Sequence, residues 1–92
     1  MPRLYFHLHD GVDRLLDEEG SELTLAEAEV RALTEARSLI AHEALQGRID
    51  LNQRLDVEDS EGAVLHTLCF RDAVEILDAG QVRLADGSDL GD

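Results

Sequence analysis

From Arg3 to His9 the side chains alternate, with Leu4, Phe6 and Leu8 on one side and Tyr5, His7 and His9 on the other. A period of two predicts a strand. Asp10-Gly11-Val12-Asp13 predicts a turn, and Arg14 to Asp17, carrying Leu15 and Leu16, a short returning strand. Asp17 to Glu22 reads as an acidic loop.

At Thr24 the period changes. Leu25, Ala26, Val30, Leu33, Ala36, Ile40 and Ala44 share one side of a helical wheel, opposite Glu27, Arg31, Glu35, Ser38 and His42. Thr24-Leu25-Ala26-Glu27 is a capping box, Leu23 can staple to Ala28, and Gly47 supplies a left-handed end. The spacing predicts one long helix from Thr24 to Gly47, with Glu27–Arg31 and Arg31–Glu35 pairs on its wet face. Ala28, Ala32 and Ala36 form a ridge of small side chains that lets another element approach closely. At about 1.5 Å per residue the helix is roughly 33 Å long, while a six-residue strand spans about 20 Å. The helix therefore overhangs any sheet this chain builds, and either the C-terminal segment or a second subunit must cover the excess.

After a connector anchored by Ile49 and Leu51, Arg54 to Asp59 predicts a third strand with Leu55 and Val57 on one face. Asp59-Ser60-Glu61-Gly62 predicts a hairpin turn. Ala63 to Phe70 is the fourth strand, with Val64, His66, Leu68 and Phe70 inward. Asp72 predicts a cap for one or two turns of helix through Leu77. The expected architecture is α+β, ββαββ: a four-stranded, mostly antiparallel sheet with one long helix on one face. The first and fourth strands, the most apolar, are placed at its centre. The open face then carries Tyr5, His7, His9, Leu65, Thr67 and Cys69, apolar enough to serve as a dimer surface.

Ninety-two residues make one domain, here 1–77, with 78–92 an acidic flexible tail containing an extended segment at 81–84. The formal charge is −13, from 21 acidic and 8 basic residues. That argues against nucleic acid and anionic membranes as partners and leaves basic proteins or cations. Cys69 is alone, and no segment reads as a signal peptide or a membrane span, so the expected setting is cytoplasmic.

Candidate chemistry is sparse. His7 and His9, two apart on a strand, share a face and can chelate Zn²⁺ or Ni²⁺, with Asp10 or a cross-strand residue as a third ligand. Asp17, Glu18, Glu19 and Glu22 match no known cation loop, and residues 56–62 misplace the Gly of an EF-hand and lack its closing Glu. His42 and Ser38 lack an orienting acid, and Cys69 reads as a buried thiol. The residues therefore assign no catalytic residue, cofactor or metal site; His7, His9 and Asp10 are the metal candidates.

Met1-Pro2-Arg3-Leu4-Tyr5-Phe6-His7-Leu8 resembles the opening of a family of small bacterial domains of unknown function, typical of rhizobia and related alphaproteobacteria, whose members begin Met-Pro-Arg-Tyr-x-Phe-His. Asp17-Glu18-Glu19-Gly20, Val57-Glu58-Asp59 with Gly62, and Phe70-Arg71-Asp72-Ala73-Val74 continue the similarity over residues 1–77. Leu4 stands where many members have Tyr, and Cys69 where Pro is frequent. The resemblance implies a fold but no activity and no binding residues. The opening of the helix, Thr24-Leu25-Ala26-Glu27-Ala28, also resembles that of HicB-type antitoxin domains, but the 23 residues ahead of it leave room for two strands rather than three. The functional reading is a non-enzymatic protein-binding or regulatory module, homodimeric through the open sheet face or the alanine ridge. The alternatives are a metal-binding protein using His7 and His9, and an antitoxin-like or nucleic-acid-mimicking protein that sequesters a basic partner.

Overall fold

The computed structural model describes residues 2–78 together with Gln81 and Val82. In chain order the elements are β1 (Arg3–His9), β2 (Arg14–Leu15), β3 (Ser21–Glu22), α1 (Leu25–Leu45), β4 (Arg54–Glu58), β5 (Val64–Cys69), a 3-10 turn at Phe70–Asp72, β6 (Leu77–Asp78) and β7 (Gln81–Val82). The main sheet runs β2-β1-β4-β5, with β3 also beside β1. Its pairings are antiparallel, so the domain is α+β with one helix on an antiparallel sheet. No helix among the described residues is long and apolar enough to cross a membrane.

The ends of α1 follow local rules. The Thr24 hydroxyl accepts the Glu27 N–H, and the Glu27 carboxylate accepts the Thr24 N–H, closing the capping box. Glu27 is thereby spent on the cap, and only the Arg31–Glu35 pair forms on the wet face. At the other end the Arg48 N–H reaches the Glu43 carbonyl and the Gly47 N–H reaches the Ala44 carbonyl. With Gly47 at φ 90° this is a Schellman ending. Glu43 then stitches the connector down: its carboxylate accepts from the Asp50 N–H and from Gln53 Nε2. Leu51 is the buried anchor of that connector, while Ile49 stays exposed.

The face of α1 that meets the sheet differs from the expected one. Ala28, Ala32, Ala36 and Ile40 are the buried positions, and Val30 is 68% exposed. The alanine ridge is the contact row itself, because small side chains let the helix axis lie closest to β1 and β4. It is used up inside the domain and offers nothing to a second copy. Two packed clusters result. Leu4, Phe6, Ala28, Ala32 and Val57 form one, with Leu23 against it as the staple. Ala36, Ile40, Leu51, Leu55, Phe70 and Ala73 form the other. The second cluster covers the overhang of the helix with the chain's own C-terminal segment.

Strand order also departs from expectation. β1 and β4 are central, and β5, expected at the centre, lies at an edge. β4 is buried on both faces: Leu55 and Val57 sit under the helix, and Asp56 is buried on the other side. Asp56 accepts a hydrogen bond from Thr67 on β5 and lies against His9 on β1. The apolar residues of β5 are split between faces, and Val64, expected inward, is exposed opposite Glu58 where the register slips.

The first return limb is also different. It is two short strands rather than one, so three strands precede the helix; β3 forms in the stretch read as acidic loop. Beyond β5, the expected helix through Leu77 is replaced by the 3-10 turn and β6. Arg37 Nε donates to the Ala73 carbonyl, the group a helix would offer to the Leu77 N–H. β6 pairs antiparallel with β7. The rest of the expected tail lies outside the described residues.

These contacts separate two substitutions. Ala32→Leu overfills a fully buried helix–sheet contact and should destabilise by about 1–3 kcal/mol. Val30→Lys, on the face first assigned to the core, should stay within about 0.5 kcal/mol. Thermal or urea unfolding of both variants measures the difference.

Candidate functional site

The face of the sheet away from α1 carries the alternate residues of β1 and β4. Cross-strand register sets His7 opposite Asp56, Tyr5 opposite Glu58 and His9 opposite Arg54, with Thr67 and Cys69 following on β5. Direct and diagonal neighbours on one face of a sheet are close enough to interact. Both His9 and Asp56 are buried, His9 to 9% exposure. This face therefore carries a polar cluster at its centre and is less apolar than expected.

Asp56 is the hub. Thr67 donates to its Oδ1 at 2.9 Å, Arg54 Nε approaches both oxygens at 3.3 and 3.4 Å, and His9 Nε2 lies 3.2 Å from Oδ2. The last contact has ion-pair distance without hydrogen-bond geometry: among the described residues His9 Nε2 is a buried polar atom with no hydrogen-bond partner. His9, Asp56 and Glu58 each present one ligand-type atom within 4.8 Å of the other two.

His7 is placed differently. Its Nδ1 accepts the Asp17 N–H at 3.0 Å, its ring stacks on Tyr5, and its Nε2 lies 3.6 Å from Glu58. A neutral ring that accepts at Nδ1 carries its proton on Nε2, facing the carboxylate. Of the sequence candidates, His9 thus joins the cluster and His7 flanks it. Asp10 is occupied elsewhere: it accepts the N–H groups of Val12 and Asp13 in the β1–β2 turn, and these bonds, Asp13 first, hold its carboxyl below the ordinary range. His66 pairs with Val57 and so takes the helix side. Asp59, part of the EF-hand-like stretch, caps its own hairpin by accepting from Glu61 and Ala63. Asp56 and Glu58 were missed as site residues, although Arg54, Asp56 and Glu58 alternate with Leu55 and Val57 and so mark a polar face beneath an apolar one.

Asp17 closes the outer edge of β1. β2 and β3 pair with its two ends and leave the middle uncovered. There Asp17 Oδ2 accepts the Phe6 N–H, and Oδ1 accepts the N–H groups of Glu19 and Gly20. A side chain thereby stands in for a missing strand. Gly20 makes the close approach possible: at φ 71°, a Cβ there would sit 2.8 Å from the Tyr5 ring. Burial pushes the Asp17 carboxyl up, but the three N–H donors and the nearby His7 outweigh it and hold the carboxyl below its ordinary range.

A separate cavity of about 440 Å³ opens between α1 and the β2 edge. Phe6, Leu8, Leu15, Leu16, Leu39 and Leu55 line it, with Asp17, Glu35 and Ser38 as its polar residues. Leu15 is 70% and Leu16 48% exposed.

The family model described as Domain of unknown function (DUF6894) matches residues 3–71, and the chain belongs to that family. The match runs from β1 into the 3-10 turn and includes His7, His9, Asp17, Asp56 and Glu58. No curated protein and no solved structure matches the chain.

Asp17→Ala should destabilise the domain by about 1–3 kcal/mol, from the charged hydrogen bonds lost. The native carboxyl titrates below its unfolded value, so its stabilisation is present above the ordinary Asp range and lost as pH falls through the lowered value. The gap between wild type and variant should therefore close as pH drops below about 4. Urea unfolding at neutral and acid pH checks both statements.

Proposed function

We propose that this member of a family without assigned function is a non-enzymatic interaction module of the cytoplasm that works as a homodimer joined along the outer edge of β5. One observation carries the reading. Val64 to Cys69 is six residues long, contains no Asp, Glu, Lys or Arg, and has no partner on its outer side among the described residues. In a chain that is 32% charged, this is an unguarded edge. Proteins that keep such an edge free usually protect it with charge, Pro or a covering segment. The opposite edge of the sheet is protected, by β2, β3 and the Asp17 side chain. Antiparallel pairing of two β5 strands about a twofold axis satisfies the free backbone groups of both copies and covers Val64 and Leu65. The lone thiol of Cys69 supports a reducing compartment.

Two copies of charge −13 repel, so the dimer should tighten as salt is raised. Sedimentation of untagged protein should show a dimer at micromolar concentration. Leu65→Lys should convert it to monomer, and Leu45→Lys, at the exposed end of α1, should leave it dimeric. A wild-type monomer at every concentration, or a dimeric Leu65→Lys protein, overturns the reading.

The cavity beside β2 supports a second reading, in which the module also receives an apolar anchor from a basic partner segment. The cavity has the size and lining of a side-chain receptor, and Asp17 and Glu35 lie at its rim. A Leu/Lys amphipathic peptide should bind and be released by salt. Leu16→Glu separates this from simple attraction: the added charge would strengthen a purely electrostatic complex, whereas loss of the apolar wall should weaken binding severalfold. Titration calorimetry of both proteins reads the sign.

A further inference from the structure

We infer that His9, Asp56 and Glu58 form a binding site for a divalent first-row transition-metal ion, bridging β1 and β4 on the face of the sheet away from the helix. The inference is independent of the dimer and of the cavity beside β2.

Three observations converge. The donor set is one imidazole and two carboxylates, the mixture that suits Zn²⁺ and its neighbours. Its atoms are already gathered, each within 4.8 Å of the others. Two ligands on a tetrahedral ion with bonds of about 2.0 Å stand about 3.3 Å apart; His9 Nε2 and Asp56 Oδ2 stand 3.2 Å apart. Finally, His9 Nε2 is buried and makes no hydrogen bond, although a carboxylate oxygen lies within reach. Buried polar nitrogens are rarely left without a partner. A nitrogen held at ligand spacing from a carboxylate, but not aligned to donate to it, is arranged for an ion between them rather than for a proton.

The surroundings have the form of a supporting shell. Thr67 donates to Asp56 Oδ1, while Oδ2 lies 3.2 Å from His9 Nε2. His7 is oriented by the Asp17 N–H and presents Nε2 toward Glu58 Oε1. Such partners orient first ligands and tune their basicity. The competing cation is Arg54, whose Nε lies 3.3 Å from Asp56 Oδ1 and 3.4 Å from Oδ2. Its side chain is 45% exposed and can swing outward when an ion enters. Asp56 and Glu58 set two carboxylates against the one guanidinium of Arg54, a surplus of acidic groups that favours a divalent ion. The three ligands come from the two central strands, so the ion cross-links the middle of the sheet.

Zn²⁺ alone is the probe, added to the untagged full chain and measured against a chromophoric chelator. Wild type should bind one Zn²⁺ per chain and unfold at a higher temperature with the metal. Glu58→Gln and His9→Gln should each weaken binding by at least about tenfold, with circular dichroism confirming that both remain folded. The ¹⁵N resonance of His9 Nε2 should move on Zn²⁺ addition, while those of His42 and His66 stay in place. Absence of stoichiometric binding overturns the inference. So does binding that both variants retain at wild-type strength, or Zn²⁺ that shifts His42 or His66 instead of His9.

Discussion

How closely a helix lies on a sheet is set by the size of its contact row. In this domain that row is Ala28, Ala32 and Ala36, all fully buried, with Ile40 continuing it. The alanines bring α1 close enough for Leu4, Phe6, Leu55 and Val57 to reach it from β1 and β4. Beyond that row, where the helix faces the β2 edge, Glu35, Ser38 and Leu39 line the apolar cavity together with Leu15 and Leu16.

With one helix to cover one face, the other face must be compatible with water or build its own closure. It does the latter at its centre. Asp56 is held there by hydrogen bonds from Thr67 and Arg54, with His9 at ion-pair distance. Thr67 comes from β5 and His9 from β1, so the polar cluster spans the three neighbouring strands β1, β4 and β5.

Local features of this fold were legible in the sequence, and features created by pairing were not. The capping box at Thr24, the Gly47 ending, the Asp59 turn and the alternation of β1 each depend on a few adjacent residues, and each is present as read. β3 was not legible because Ser21 and Glu22 carry no strand signal of their own; Arg3 and Leu4 make them a strand. The buried side of α1 was misjudged toward Val30 because a helical wheel weighs hydrophobicity, whereas the sheet selected small size. The C-terminal helix failed because Arg37, 36 residues away from Ala73, takes the carbonyl it needed. The polar site was half legible: alternation put His9 on the correct face, but only register could bring Asp56 and Glu58 to it and set His7 aside.

The two edges of the sheet show how differently the same backbone problem can be handled. On the β1 side, chain that could have formed one long strand is broken into β2 and β3, and the gap is closed by Asp17, whose carboxylate takes three backbone N–H groups. A charged side chain in that position leaves no donor for a foreign strand to use. On the β5 side nothing comparable exists among the described residues: no charge, no proline, and a register slip only at the end near Val64 and Leu65. Among the described residues the protection is confined to the β1 flank. The proposed dimer rests on this asymmetry: a guarded β5 would exclude a second copy, and an unguarded β1 would allow open-ended growth instead of a closed pair.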